Sequence, residues 1–101
     1  MDYKAVAKKN EEELPFRLRL FVAGSSPISV RAINNLQALL EKHLKGRYEL
    51  EIIDVHQQPA LTQSENITAV PMLIKTSPLP KRLLIGDMSD SDKLLRALNL
   101  I

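Results

Sequence analysis

The sequence predicts a mixed α/β domain, because a strand period, a helix period and a second strand period follow one another from residue 16 to residue 55. The chain has 101 residues, about two-thirds of the roughly 150 typical of one domain. Hydrophobic residues make up 45% and charged residues 26%, as in ordinary globular proteins. We therefore expect one folded domain over residues 16–101.

The first strand and helix are indicated by a change of period. Apolar side chains alternate with others from Phe16 to Ala23, as in a half-buried strand. After a Gly-Ser-Ser turn, Ser26 suits the N-cap of a helix and Pro27 suits its first position. From there the apolar residues recur every three or four positions, and Gly46 is predicted to end the helix at C′. The predicted apolar stripe consists of Val30, Ile33, Leu36, Leu40 and Leu44.

A second strand is predicted over Tyr48–Val55. Its acidic residues Glu49 and Glu51 are opposite in sign to Arg17 and Arg19 of the first strand. Two strands joined by a helix of this length should be parallel, with a right-handed crossover. The charge match favours placing them side by side.

The second half has weaker periodicity. Residues 59–67 predict a short helix or an irregular loop, whereas Pro71–Lys75 and Lys81–Gly86 read as short strands around a proline-rich turn. Ser89 with Asp92 resembles a capping box before a last helix. The order β-α-β-α-β-β-α is the thioredoxin-like arrangement.

Residues 1–15 differ from the rest of the chain in their density of charge. Three lysines and four acidic residues leave this segment at −1 and the remainder at +3. We expect a flexible N-terminal tail, or a short helix docked only in an assembly. No apolar run reaches the roughly 18 residues of a membrane span and no signal-like stretch follows Met1, so we expect a cytoplasmic protein without membrane contact.

The residues that could support catalysis are few. The sequence contains no cysteine, and the turn Gly24-Ser25-Ser26-Pro27 stands where a thioredoxin-like enzyme would hold its thiol, so thiol exchange is excluded. An enzyme using Ser25 and His56 lacks an evident third group to activate the serine. His43 suits the end of the long helix better than a metal site. We predict no enzymatic activity, no cofactor and no metal.

A cluster of basic residues surrounds the proline-rich turn. Lys75, Lys81 and Arg82 either solubilise this turn or form a patch for an acidic protein partner. Four aromatic residues provide little for base stacking, so nucleic acid is not an expected partner.

In their order along the chain, several short segments resemble the KaiB family, the small partner of the KaiC ATPase in the cyanobacterial clock. The resemblance covers about residues 16–100. The matching segments include Leu20-Phe21-Val22-Ala23-Gly24, Ser29-Val30-Arg31-Ala32, Ile53-Asp54-Val55, Gln58-Pro59 and Ile85-Gly86-Asp87.

This resemblance implies a non-enzymatic protein that binds a KaiC-type hexameric ATPase and times its phosphorylation cycle. It also implies a homo-oligomer, a dimer or tetramer, and two interconverting folds: a KaiB ground state and a thioredoxin-like state that share the first half of the chain. Arg31, Lys75 and Arg82 match basic positions of the family and, with Lys81, are the expected partner-binding residues.

Three positions are expected to govern the conformational switch. The family typically has Gly and Asp where this chain has Ala97 and Asn99, and Ala raises helix propensity over Gly by roughly 1 kcal/mol. Ala97 should therefore favour the thioredoxin-like state. Pro71 leads into the third strand, where thioredoxin-like folds commonly hold a cis peptide bond.

Other differences from the family pattern favour an alternative function. Glu51, Asn66 and Leu83 stand where relatives often carry Lys, Lys and Arg, which would weaken a surface meant for an acidic partner. The alternative is a divergent KaiB-like protein that does not engage KaiC and acts in stress response or signalling. A free sensor domain of a histidine kinase is a further possibility, against which the Ile85-Gly86-Asp87 segment argues.

Overall fold

Three helices flank a four-stranded sheet in the computed structural model, which describes residues 15–101. The predicted tail at 1–15 thus lies outside the described residues, except for Pro15. None of the helices within residues 15–101 is long and apolar enough to cross a membrane. The elements are β1 (Phe16–Val22), α1 (Pro27–His43), β2 (Tyr48–Asp54), α2 (Pro59–Ser64), β3 (Met72–Ser77), β4 (Arg82–Ile85) and α3 (Ser91–Ala97).

The strand order of the sheet is β2-β1-β3-β4. β1 and β2 are parallel, whereas β3 is antiparallel to β1 and to β4. The register places Arg17 opposite Glu49 and Arg19 opposite Glu51. The predicted βαβ unit and its charge match are therefore confirmed.

Helix α1 begins where the sequence predicts, but its buried face and its end differ from the prediction. The Oγ of Ser26 accepts a hydrogen bond from the backbone N–H of Ser29, and Pro27 is the first helical residue. The prediction that Val30 lies in the buried stripe is wrong, because this side chain is 43% exposed. The buried face consists of Ser29, Ala32, Leu36, Leu39 and Leu40.

The predicted C′ position of Gly46 is off by one residue. Leu44 is the C-cap, so Gly46 comes two residues after it. Gly46 has φ +76° in a turn that the Arg47 N–H closes by donating to the Leu44 carbonyl at 2.8 Å. Glycine suits this position because it tolerates positive φ.

The sheet separates two apolar clusters. The larger cluster lies between the sheet and helices α1 and α3, and Leu20, Leu36 and Leu94 are fully buried in it. The smaller cluster lies on the opposite face and joins Phe21 and Ile53 to the partly buried Leu61 of α2. Burying both faces requires helices on both sides of the sheet, as in layered α/β domains.

The structure shows which elements the weakly periodic C-terminal half forms. Residues 59–67 contain the short helix α2. The Val70–Pro71 peptide bond is cis, as predicted, and the bonds before Pro78 and Pro80 are also cis. The predicted cap at Ser89 is wrong by one residue, because the carboxylate of Asp90 accepts the Lys93 N–H and caps α3.

Candidate functional site

The predicted partner-binding residues lie in three different environments. Lys81 and Arg82 are exposed at the beginning of β4. The expectation that Lys75 belongs to a surface patch is wrong, because its side chain is only 1% exposed. Side chains alternate along a strand, so Lys75 shares a sheet face with the buried Leu73. Arg31 lies elsewhere, on α1.

Arg31 contacts the loop that follows β4. Its Nε lies 3.5 Å from Oδ2 of Asp87. The Nδ2 of Asn35, one turn further along α1, donates to the backbone carbonyl of Asp87 at 2.9 Å. Hydrogen bonds from Ser89, and then the Arg31 guanidinium, lower the pKa of Asp87. Arg31 is therefore engaged within the molecule, at the end of β4 opposite from Lys81 and Arg82.

A groove of about 670 Å³ lies on the face of the sheet that carries α2. In it, Arg19 pairs with Glu51 at 3.2 Å and with Glu65 at 3.7 Å. Arg17 and Glu49 form a longer pair at 4.0 Å. Charges of both signs compensate one another here, so the groove does not favour a strongly acidic partner. Glu51, where the KaiB resemblance leads us to expect a lysine, has a local electrostatic partner in Arg19.

The edge strand β4 exposes apolar side chains that its sequence pattern did not mark as a surface. Leu83 is 57% exposed, Ile85 is 56% exposed, and Leu79 in the preceding turn is 74% exposed. The available signal was the apolar run 83–85 directly after a basic pair. Exposed apolar groups on a sheet edge are typical of protein interaction surfaces. We call Leu79, Lys81, Arg82, Leu83 and Ile85 the β4 surface.

Asn99 terminates helix α3. It has φ +61°, and its N–H donates to the Arg96 carbonyl at 3.0 Å, while the Leu100 N–H donates to the Leu95 carbonyl at 2.8 Å. These two bonds define a Schellman motif with Asn99 at C′, a position that favours residues able to adopt positive φ. Ala97 is the last residue of the helix.

Asn66 has the same role at the end of α2. It has φ +56°, and the N–H groups of Asn66 and Ile67 donate to the carbonyls of Gln63 and Thr62, both at 3.1 Å. Asparagine tolerates this conformation better than lysine. The backbone at position 66 therefore favours asparagine over the lysine that the KaiB resemblance leads us to expect.

Asp54, the acidic residue two positions before the candidate His56, binds backbone groups. The Asp54 Oδ1 accepts the backbone N–H of His56 at 2.9 Å and that of Gly24 at 3.2 Å. This carboxylate closes the turns after β1 and β2 rather than orienting an imidazole. Within residues 15–101, no group of three or more His, Asp or Glu side chains is placed to hold a metal ion.

Comparison with known proteins identifies related sequences. Residues 19–100 match the protein family described as KaiB domain. A circadian clock oscillator protein KaiB from Prochlorococcus marinus is 48% identical over 84 residues, which cover 83% of this chain and 80% of that relative. The KaiB protein of Synechococcus elongatus is 46% identical over 84 residues, covering 83% and 82% of the two chains.

Solved structures with the same fold include the N-terminal domain of SasA and several thioredoxins. The N-terminal domain of SasA from Synechococcus elongatus has a TM-score of 0.62 at 29% identity, covering 87% of each chain. Chloroplastic thioredoxin z has a TM-score of 0.71 at 15% identity, covering 96% of this chain and 88% of its own. At that identity the thioredoxin shows the fold alone. The predicted thioredoxin-like arrangement is confirmed.

Proposed function

The chain belongs to the KaiB family, and we propose that it is a non-enzymatic regulator that binds a KaiC-type hexameric ATPase and modulates its phosphorylation and ATPase cycle. The observation that carries this proposal is the KaiB domain match over residues 19–100, which spans most of the fold from β1 to α3. The curated relatives are circadian clock oscillator proteins, so we place the chain in a timing system.

The β4 surface is the proposed site of contact with the ATPase. On this edge strand Leu83 and Ile85 lie on the sheet face that carries α2 and Arg82 lies on the opposite face, so the surface wraps around the sheet edge. It combines these apolar side chains with the exposed basic residues Lys81 and Arg82. Apolar groups supply binding free energy on desolvation, and basic groups steer an acidic partner into register. Lys75 is buried and Arg31 pairs with Asp87, so these two residues contribute little free charge in the described conformation.

The conformational part of the proposal concerns α3. The described fold is the thioredoxin-like one, which the KaiB resemblance associates with ATPase binding. Ala97 inside the last turn of α3 supports the helical state, and Asn99 supports the turn that ends it. We propose that Ala97 and Asn99 shift a two-state equilibrium towards the binding-competent fold, and that Pro71, which leads into β3, is a third position of the switch.

The alternative function is that of a divergent KaiB-like protein with another partner, in stress response or signalling. It is favoured by Leu83 and Glu51, an apolar and an acidic residue at positions where the KaiB resemblance leads us to expect arginine and lysine. A binding experiment with a KaiC-type ATPase separates the two functions.

The experiment is gel filtration with light scattering, which also gives the oligomeric state. The protein is run alone and after hours of incubation with a KaiC-type hexameric ATPase and ATP. Co-migration with the hexamer is the expected result. Separate elution would assign the protein to the divergent class.

A charge-matched pair of variants tests the β4 surface. Arg82→Glu and Lys45→Glu each change the net charge by −2, but Lys45 lies in the turn after α1. We expect Arg82→Glu to weaken binding by about tenfold, which is roughly 1.4 kcal/mol, and Lys45→Glu to leave it nearly unchanged. Equal weakening by both would indicate non-specific attraction and would remove the β4 surface from the proposal.

A further inference from the structure

The loop between β4 and α3 is attached to α1 by three different contacts. Arg31 pairs with the Asp87 carboxylate at 3.5 Å, and Asn35 donates to the Asp87 carbonyl at 2.9 Å. The third contact is apolar, since Met88 is only 5% exposed and lies in the cluster beneath α1. We call Arg31, Asn35, Asp87 and Met88 the loop anchor.

The loop backbone adopts conformations that L side chains disfavour. Gly86 has φ +126° and Met88 has φ +63°. A non-glycine residue is held at such a φ only when surrounding contacts determine it. The burial of Met88 and the two polar contacts to Asp87 are those contacts. The loop therefore has a conformation that α1 imposes from outside.

Helix α3 depends on this loop for its position. It contains only seven residues, too few for a stable isolated helix. Its cap Asp90 follows the loop anchor by two residues, and it packs on the core mainly through Leu94 and Leu98. The position of the cap therefore depends on the position of the loop.

We propose that the loop anchor is a latch that holds α3 on the body of the protein, and that its opening detaches residues 86–101 while β1, α1 and β2 remain folded. This assigns to Arg31 an internal role in addition to any contact with a partner. The inference concerns the isolated protein and does not depend on ATPase binding.

Hydrogen exchange of the isolated protein tests the latch. Amide exchange followed by mass spectrometry is compared between α3 and the reference strand β1. Asp87→Asn keeps an oxygen that can accept the Ser89 N–H but removes the charge that faces Arg31. We expect roughly two- to fivefold faster exchange in α3, with β1 unchanged, because a partly exposed ion pair contributes modestly. Arg31→Gln should give the same result, and the double variant no more than either single change.

A neighbouring pair of asparagines supplies the matched control. Asn35→Ala removes the hydrogen bond to the loop, whereas Asn34→Ala makes the same change at an exposed position of α1. We expect roughly three- to tenfold faster exchange of α3 for Asn35→Ala and no such difference for Asn34→Ala. Unchanged exchange in α3 for both Asp87→Asn and Asn35→Ala overturns the proposal. Equal acceleration of α3 and β1 also overturns it, because α3 would then open only with the whole protein.

Discussion

The N-terminal βαβ unit and the C-terminal half of this protein are specified in different ways. In the βαβ unit, β1 and β2 pair over seven residues and a 17-residue helix connects them. The C-terminal half contains helices of six and seven residues and an edge strand of four. Helices below about 12–15 residues are marginal alone. The C-terminal half is therefore ordered by packing on the βαβ unit.

The unusual backbone conformations also concentrate in the C-terminal half. Within residues 15–101, the non-glycine residues with positive φ are Asn66, Met88 and Asn99, all after β2. Each ends a helix or precedes one. At such positions a single substitution can change the stability of the C-terminal half. Regions of a protein with few stabilising contacts also open first. The comparison predicts two units of unequal stability within one domain.

The largest effect that tests this comparison is expected for two leucines from the same apolar cluster. Leu36 of α1 and Leu94 of α3 are both fully buried. We expect Leu36→Ala to lower the free energy of unfolding by about 2–5 kcal/mol and to speed amide exchange everywhere. Leu94→Ala should speed exchange in α3 far more than in β1. Urea denaturation followed by circular dichroism gives the first quantity, and hydrogen exchange gives the second. If Leu94→Ala accelerated β1 and α3 equally, the domain would be one cooperative unit.

A smaller effect is expected at Ala97, in the proposed conformational switch. Ala97→Gly should lower the helical preference of α3 by roughly 1 kcal/mol and raise the population of an alternative state. NMR exchange spectroscopy measures that population. Ala38→Gly is the matched control, because Ala38 is an exposed residue inside α1. The control should lose similar stability without populating the alternative state. Unchanged exchange in Ala97→Gly would remove Ala97 from the switch.

The βαβ unit could be predicted from sequence because its signals are local. Alternation defined the strands, Ser26 and Pro27 marked the start of α1, and opposite charges gave the pairing of β1 with β2. The exposure of Val30 was missed because a helical period does not by itself fix the centre of the buried face.

The C-terminal half was harder to predict because its decisive contacts are tertiary. The turn after Lys75 suggested an exposed lysine, but pairing with β1 places this side chain on the core face. The attachment of Asp87 to α1 joins residues more than 50 positions apart, and no local pattern encodes it. The apolar run in β4 was visible, but its exposure followed only from the position of β4 at the sheet edge.

A still smaller effect is expected at Asn99, which ends α3. Asn99→Ala should lower the free energy of unfolding by about 0.5–1 kcal/mol, because alanine disfavours the positive φ at C′. Asn99→Gly should preserve or slightly raise stability, because glycine adopts this φ freely. Thermal unfolding of the two variants, with exchange of α3 amides as the local probe, measures the difference. Alanine and glycine behaving alike would show that the Schellman motif does not control the end of α3.

The smallest effect concerns a tyrosine that joins β2 to α1. The Tyr48 hydroxyl donates to the Glu41 carboxylate at 2.6 Å, and this hydrogen bond is the main reason that the pKa of Tyr48 is raised above its usual value near 10. In a Tyr3→Phe background, Tyr48 is the remaining phenol of the sequence, so an absorbance titration reports it alone. Adding Glu41→Gln should return its pKa towards 10. An unshifted titration would show that the hydrogen bond does not persist in solution.

The pKa shifts of Tyr48 and Asp87 have opposite directions, so the βαβ unit and the C-terminal half should respond to opposite changes of pH. A raised pKa of Tyr48 means that its contribution to stability is complete below pH 10 and is lost as the pH rises through the raised value. For Asp87 the pKa is lowered, so its contribution is present above the usual carboxyl pKa near 4 and is lost as the pH falls through the lowered value. Alkaline conditions should therefore loosen the contact between α1 and β2. Acidic conditions should first weaken the turn in which Ser89 donates to the Asp87 carboxylate and, to a smaller extent, the contact of Asp87 with Arg31 of α1. Asp90 and Lys93 line the same surface cavity as Asp87. Hydrogen exchange of α3 that accelerates at alkaline pH and not at acidic pH, after correction for intrinsic rates, would contradict this assignment.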